Sequence, residues 1–134
     1  MPKSDHGFRS VPIPDTTAAF LKEYISTLPG TYLFTCRDGS NMTHSAYVKM
    51  WASIVKKINY AAGGTDTFPV VSGLTAHIFR HNYCTNLCYQ VPAISIKKIA
   101  QLMGDTEKMV LDVYNHIMEE KEDAAAVVND VLAI

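Results

Sequence analysis

The chain has 134 residues, 48% of them hydrophobic, with 12 basic and 13 acidic side chains and a formal net charge of -1. That length suits one domain with a sizeable core, and no apolar run approaches the roughly 18 residues of a membrane span. The near-neutral charge excludes a globally basic, nucleic-acid-coating protein, although local patches can still bind phosphate. Three cysteines and no charged-then-apolar leader point to a reducing, cytoplasmic setting.

Residues 1–14 read as an edge strand, because Val11 and Ile13 alternate with Pro12 and Pro14, and proline is tolerated at sheet edges. Asp15 or Thr16 can cap a helix that runs to about Ser26 and stops at Leu28-Pro29-Gly30. Thr31 to Thr35 reads as a short strand, with a turn at Asp38-Gly39. Thr43 can cap the next helix, whose apolar face is Tyr47, Met50, Trp51, Ile54, Val55 and Ile58. A loop covers 63–73, with a short extended piece at Pro69 to Val71.

Thr75 can cap a helix carrying His77 and Arg80, and Pro92 opens a break. Ile94, Ile96, Ile99, Leu102 and Met103 mark another helix, ended by Gly104. A further helix from about Glu107 to Met118 carries Tyr114, and the Ala/Val-rich tail from Asp123 to Ile134 is helical in pattern. The expected fold is mainly α with a small antiparallel β edge, an α+β arrangement. Self-packing of the tail is the default reading.

His77 and Arg80 lie at i and i+3, on one helix face. A guanidinium presents a planar fork to two phosphate oxygens, and an imidazole can donate or accept a proton near neutral pH. Spacing alone favours an exposed arginine beside a histidine that packs or caps. Tyr114 is one of seven tyrosines, and most tyrosines are core or surface residues. A phenol nucleophile also needs help to lose a proton held at an ordinary pKa of about 10.

His77, His81, Cys84 and Cys88 imitate a zinc motif. One straight helix spreads them over eleven residue steps, roughly 16 Å, whereas zinc ligands lie about 2.0–2.3 Å from the metal. A buried stripe in which Cys84 and Cys88 pack as small apolar groups fits better. No metal or cofactor is expected.

Taken together, His77-Ile78-Phe79-Arg80-His81, Leu102-Met103-Gly104-Asp105 and Tyr114-Asn115-His116 resemble the C-terminal motifs of the tyrosine recombinases, the phage integrase family. Lys3 with Arg9-Ser10-Val11-Pro12-Ile13-Pro14 resembles the family's lysine hairpin, and Tyr32-Leu33-Phe34 with Asp38-Gly39 the segment after it. Nearly the whole chain is covered, and the motifs are specific as a set.

The resemblance implies a truncated tyrosine-recombinase catalytic fold over 1–134, from the lysine strand to the C-terminal helix. It implies a site-specific DNA recombinase that cuts and rejoins strands through a 3′-phosphotyrosine. Tyr114 would be the nucleophile, Arg80 the phosphate grip, His77 the proton-transfer partner and Lys3 the acid for the leaving 5′ oxygen. The implied partners are double-stranded DNA and other integrase protomers, reached through the tail; no membrane is implied.

Two departures stand out. Asp105 occupies a position where the family usually has a histidine that donates to the phosphate, and an ionised aspartate only accepts. It can hold Arg80 or His77, or cap the next helix with Thr106, the role favoured here. His81 and His116 are alternatives for the second imidazole. The family's first arginine, in a Thr-Gly-Leu-Arg-like motif, has no match among Arg9, Arg37 and Arg80. The chain therefore reads as a piece of a larger integrase, inactive or nearly so alone. The rival reading is a non-catalytic remnant that binds DNA or pairs with intact integrases.

Overall fold

The computed structural model describes residues 7–133. The described chain is mainly helical and divides into two compact units, residues 12–74 and a second made of the N-terminal segment to Val11 with Thr75 onward.

The first unit holds α1 (Asp15–Ser26) and α2 (His44–Ala61). α1 begins one or two residues earlier than expected. Pro14 takes the N-cap position without a side-chain cap bond, and Asp15 sits in the first turn, where a negative charge suits the helix dipole. Thr43 caps α2 as its sequence suggests, accepting from the Ala46 N–H at 3.1 Å. Met50, Trp51, Val55 and Ile58 are the half-buried part of the expected apolar face.

Asn59, near the end of α2, is buried at 5% exposure and organises the following loop. Its Oδ1 accepts from Val70 N and Val71 N at 2.9 and 3.0 Å, and its Nδ2 donates to Thr65 O at 3.2 Å. Gly64 packs so closely on this amide that a Cβ would collide with it. Trp51 Nε1 donates to Leu74 O at 2.8 Å and ties down the loop's far end.

The small antiparallel edge is not shown. Among the described residues the β pairing is a single bridge, Thr35 with Asn41. Residues 8–14 have neither helix nor strand. A strand is defined by its partner, and Pro12 and Pro14 have no N–H to give one. Residues 31–35 lead into a tight turn closed by Cys36 N to Ser40 O at 2.9 Å, and no ladder extends from it.

The second unit holds α3 (Ala76–Cys88), α4 (Ile96–Met103), α5 (Glu107–Lys121) and α6 (Ala124–Leu132). α3, α4 and α5 pack pairwise around Cys84, Cys88, Ile99, Ala100, Met103, Val110 and Ile117. Ile99 and Val110 are 0% and 1% exposed. Cys84 and Cys88 are buried in this core, as the reading of an apolar stripe expected. Thr75, Ser95 and Thr106 cap α3, α4 and α5 by accepting N–H bonds three residues on. Gly104, at φ 63° and ψ 43°, reverses the chain after α4, a conformation that costs glycine little. The tail corrects the expectation of self-packing. α6 forms, but none of its residues is buried, and Val127, Val128, Val131 and Leu132 remain 51–75% exposed. Its short stripe of valines makes an apolar face without a described surface to cover it.

Two outcomes follow from this core. Ile99→Ala should lower unfolding free energy by about 2–4 kcal/mol in urea denaturation, because the removed atoms leave a void among three helices. Burial pushes the Cys88 thiol from an ordinary value near 9 up to about 11. The folded state thus holds a proton that the unfolded chain releases, so its contribution is full at neutral pH and lost as pH rises from 9 toward 11. Stability should decline over that window, and Cys88→Ala should flatten the decline; an unchanged slope would contradict this.

Candidate functional site

α3 and the Gly104 turn together build the candidate site. His77, Arg80, His81 and Cys84 lie on successive turns of one face of α3. Met109, Val110 and Val113 oppose them from α5, and Met103 and Asp105 from the end of α4 and the turn. These residues line a cavity of about 200 Å³ in the second unit. Its floor is apolar, and its polar groups are two imidazoles, one guanidinium and one carboxylate. Apolar walls beside a cation strengthen the cation's pull on an anion.

Arg80 and Asp105 form an ion pair, Nη2 to Oδ2 at 3.3 Å, with side chains 36% and 35% exposed. Asp105 is held from two further directions. Its Oδ1 accepts from the Thr106 N–H at 2.9 Å, and its own N–H donates to Ala100 O at 3.1 Å. The favoured expectation that Asp105 caps α5 is corrected. The cap is Thr106, whose Oγ1 accepts from Met109 N at 3.3 Å, and Asp105 takes the alternative role of holding Arg80. The two charges also meet at Cys84. Burial raises that thiol's pKa, Arg80 draws it back down and Asp105 raises it.

His77 is exposed in the first turn of α3 and has no hydrogen-bond partner among the described residues. Of the two candidates for a second imidazole, His81 lines the cavity. His116 lies on α5 beside Glu120, with Nε2 to Oε1 at 3.5 Å, and does not line it.

Tyr114 does not line the Arg80 cavity either. It is half-buried on α5, packed against the core, and borders a separate hollow of about 260 Å³ with Asn115, Met118, Glu119 and Glu122. No cation among the described residues lines that hollow. Its neighbour Val113 does line the Arg80 cavity, so about 100° of helix rotation separates the two directions. Lys3 lies outside the described residues.

Two features were missed from sequence. Arg9 donates from Nε to Leu102 O at 2.9 Å, tying the N-terminal segment to the end of α4. Beside this bond lies an open cleft of about 740 Å³ that Arg9, Ser10, Lys97, Lys98, Gln101 and Thr106 help to line. Asp105 borders both this cleft and the Arg80 cavity. Lys97 and Lys98 lie on α4, and nothing in the spacing of the sequence shows Arg9 joining them. No metal-binding cluster of His, Cys, Asp and Glu occurs among the described residues. No helix among them is long and apolar enough to cross a membrane.

Comparison with known proteins agrees with the motifs. The sequence profile of the phage integrase family matches residues 3–121. The chain is 31% identical over 118 residues to a tyrosine recombinase of Thermosipho africanus, covering 87% of this chain and 37% of that one. It is 26% identical over 148 aligned positions to a XerC-like tyrosine recombinase of Caldanaerobacter subterraneus, covering 98% of this chain and 34% of the relative. No solved structure matches. The chain thus spans about a third of the length of the curated relatives it matches. With a family match over most of its length and relatives of the same kind, this chain belongs to the phage integrase family of tyrosine recombinases.

Proposed function

We propose that residues 1–134 are the nucleophile-bearing part of a catalytic domain that breaks and rejoins double-stranded DNA at specific sites. The observation that carries this reading is the convergence of His77, Arg80 and His81 on one cavity, with Tyr114 on the helix that forms its opposite wall.

The Arg80 guanidinium binds two non-bridging oxygens of the scissile phosphate. Tyr114 Oη attacks phosphorus, its proton passing toward His77. The bond from phosphorus to the 5′ oxygen breaks, and Lys3 protonates that oxygen. The product is a 3′-phosphotyrosine and a free 5′ hydroxyl. The 5′ hydroxyl of a second strand then attacks the phosphotyrosine and reverses the step on a new partner. The phosphoryl bond is conserved, so the chemistry uses neither ATP nor a metal. Tyr114 must leave its half-buried seat for this to happen, which makes displacement of α5 part of the cycle. The cleft with Arg9, Lys97 and Lys98 supplies backbone contacts beside the site, and such contacts weaken steeply with salt. The exposed apolar face of α6 fits a second protomer better than solvent.

The second reading, a non-catalytic segment that binds DNA or other integrases, is favoured by three observations. Arg80 is neutralised by Asp105, Arg9 is engaged with Leu102 O, and α6 is uncovered. No second arginine lines the Arg80 cavity among the described residues.

A nicked duplex library that traps the covalent intermediate separates the readings. The chain alone should form an SDS-resistant adduct in a yield on the order of a hundredfold below a complete relative, the cost of one absent transition-state cation. Tyr114→Phe should remove that adduct and leave salt-sensitive binding intact. An adduct that persists in Tyr114→Phe would overturn the assignment of the nucleophile. Yield equal to the complete relative would overturn the need for a second arginine.

A further inference from the structure

Asp105 is the most constrained charge at the site. Its backbone is fixed by the Gly104 turn and the bond to Ala100 O, and one carboxylate oxygen is fixed by the Thr106 N–H. The other oxygen is aimed at Arg80 Nη2. A carboxylate and a phosphate offer a guanidinium the same thing, two anionic oxygens in one plane with its N–H fork. Asp105 also borders both the Arg80 cavity and the cleft carrying Arg9, Lys97 and Lys98. A phosphate chain lying in that cleft would therefore have Asp105 between it and Arg80's paired nitrogen.

We infer that Asp105 is an internal counter-ion that occupies the phosphate's place on Arg80, so that the site takes a phosphodiester only by displacing it. The inference rests on the reading of Arg80 as the phosphate grip, and it adds a residue that sets the threshold for that grip. The pair is displaceable because both side chains are about a third exposed and a single N–O contact joins them. Once displaced, the carboxylate still faces the bound anion and repels it. Both effects weaken phosphate binding, and both vanish when the carboxylate becomes an amide. Asp105→Asn keeps an oxygen for the Thr106 N–H, so the turn is preserved.

The test is a titration of the isotope-labelled chain with inorganic phosphate at low salt, read by NMR at the Arg80 Nε–H and the Asp105 side-chain carboxyl carbon. In the unchanged chain both signals should move with one midpoint, as displacement requires. In Asp105→Asn the Arg80 midpoint should fall about threefold to fivefold. Glu107→Gln removes a carboxylate from the same cleft without touching the pair, and should move the midpoint by less than about twofold. The inference is overturned if Arg80 does not respond to phosphate in either chain. It is equally overturned if Arg80 responds while the Asp105 carboxyl is still, or if Glu107→Gln acts as strongly as Asp105→Asn. Phosphate binding is independent of strand cleavage, so failure here leaves the Tyr114 adduct as a separate test of the proposed function.

Discussion

The packing of α3, α4 and α5 around Ile99 and Val110 is the constraint on which the site depends. Each helix is short, and α4 is only 8 residues long. Such helices are marginal alone and are held by burial of their apolar faces. Gly104 lets α4 end abruptly and α5 follow at once, with Thr106 as cap. That reversal delivers Asp105 to Arg80, 25 positions earlier in sequence. A side chain at position 104 would have to adopt positive φ, and the opposing walls of the cavity would shift with it.

The same packing creates a conflict. Val110, Val113, Tyr114, Ile117 and Met118 share the inward part of α5, so the proposed nucleophile also contributes to the core. A phenol in that position is ordered but borders a different hollow from the arginine it must serve. The groups that the proposed chemistry needs, Tyr114 and Arg80, are therefore not assembled in this arrangement. Arg80 is likewise occupied by Asp105. Under the proposed chemistry, Tyr114 reaches Arg80 only if α5 rearranges, and the following helix, α6, is exposed along its apolar face.

Much of the second unit could be read from sequence because local chemistry decides it. Thr75 caps α3 where its spacing to the following apolar residues says it should, as Thr43 does for α2 in the first unit. Gly104 ends α4, and Cys84 and Cys88 fall on the buried stripe of α3. His77, Arg80 and His81 share a cavity because a helix places i, i+3 and i+4 together. Apart from the caps of α1 and α5, each displaced along the chain from the residue expected, the failures are non-local. Asn59 looks like an ordinary polar residue near a helix end; its partners at 65, 70 and 71 belong to a loop without periodicity. The alternating Val-Pro-Ile-Pro segment has strand-like spacing, but alternation cannot supply a partner strand. The Arg80–Asp105 pair and the Arg9–Leu102 bond join residues far apart in sequence, beyond any local rule. The stripe on α6 shows that an apolar face exists and says nothing of what covers it.

The proposed chemistry stands or falls on which atom becomes joined to DNA. The direct measurement is mass spectrometry of the peptide that retains a nucleotide after the chain is reacted with a trapping duplex and digested. The 3′-phosphonucleotide should be found on Tyr114. Attachment to Tyr83, Tyr89 or any other residue would contradict the mechanism, because the Arg80 cavity would then serve a different nucleophile or none.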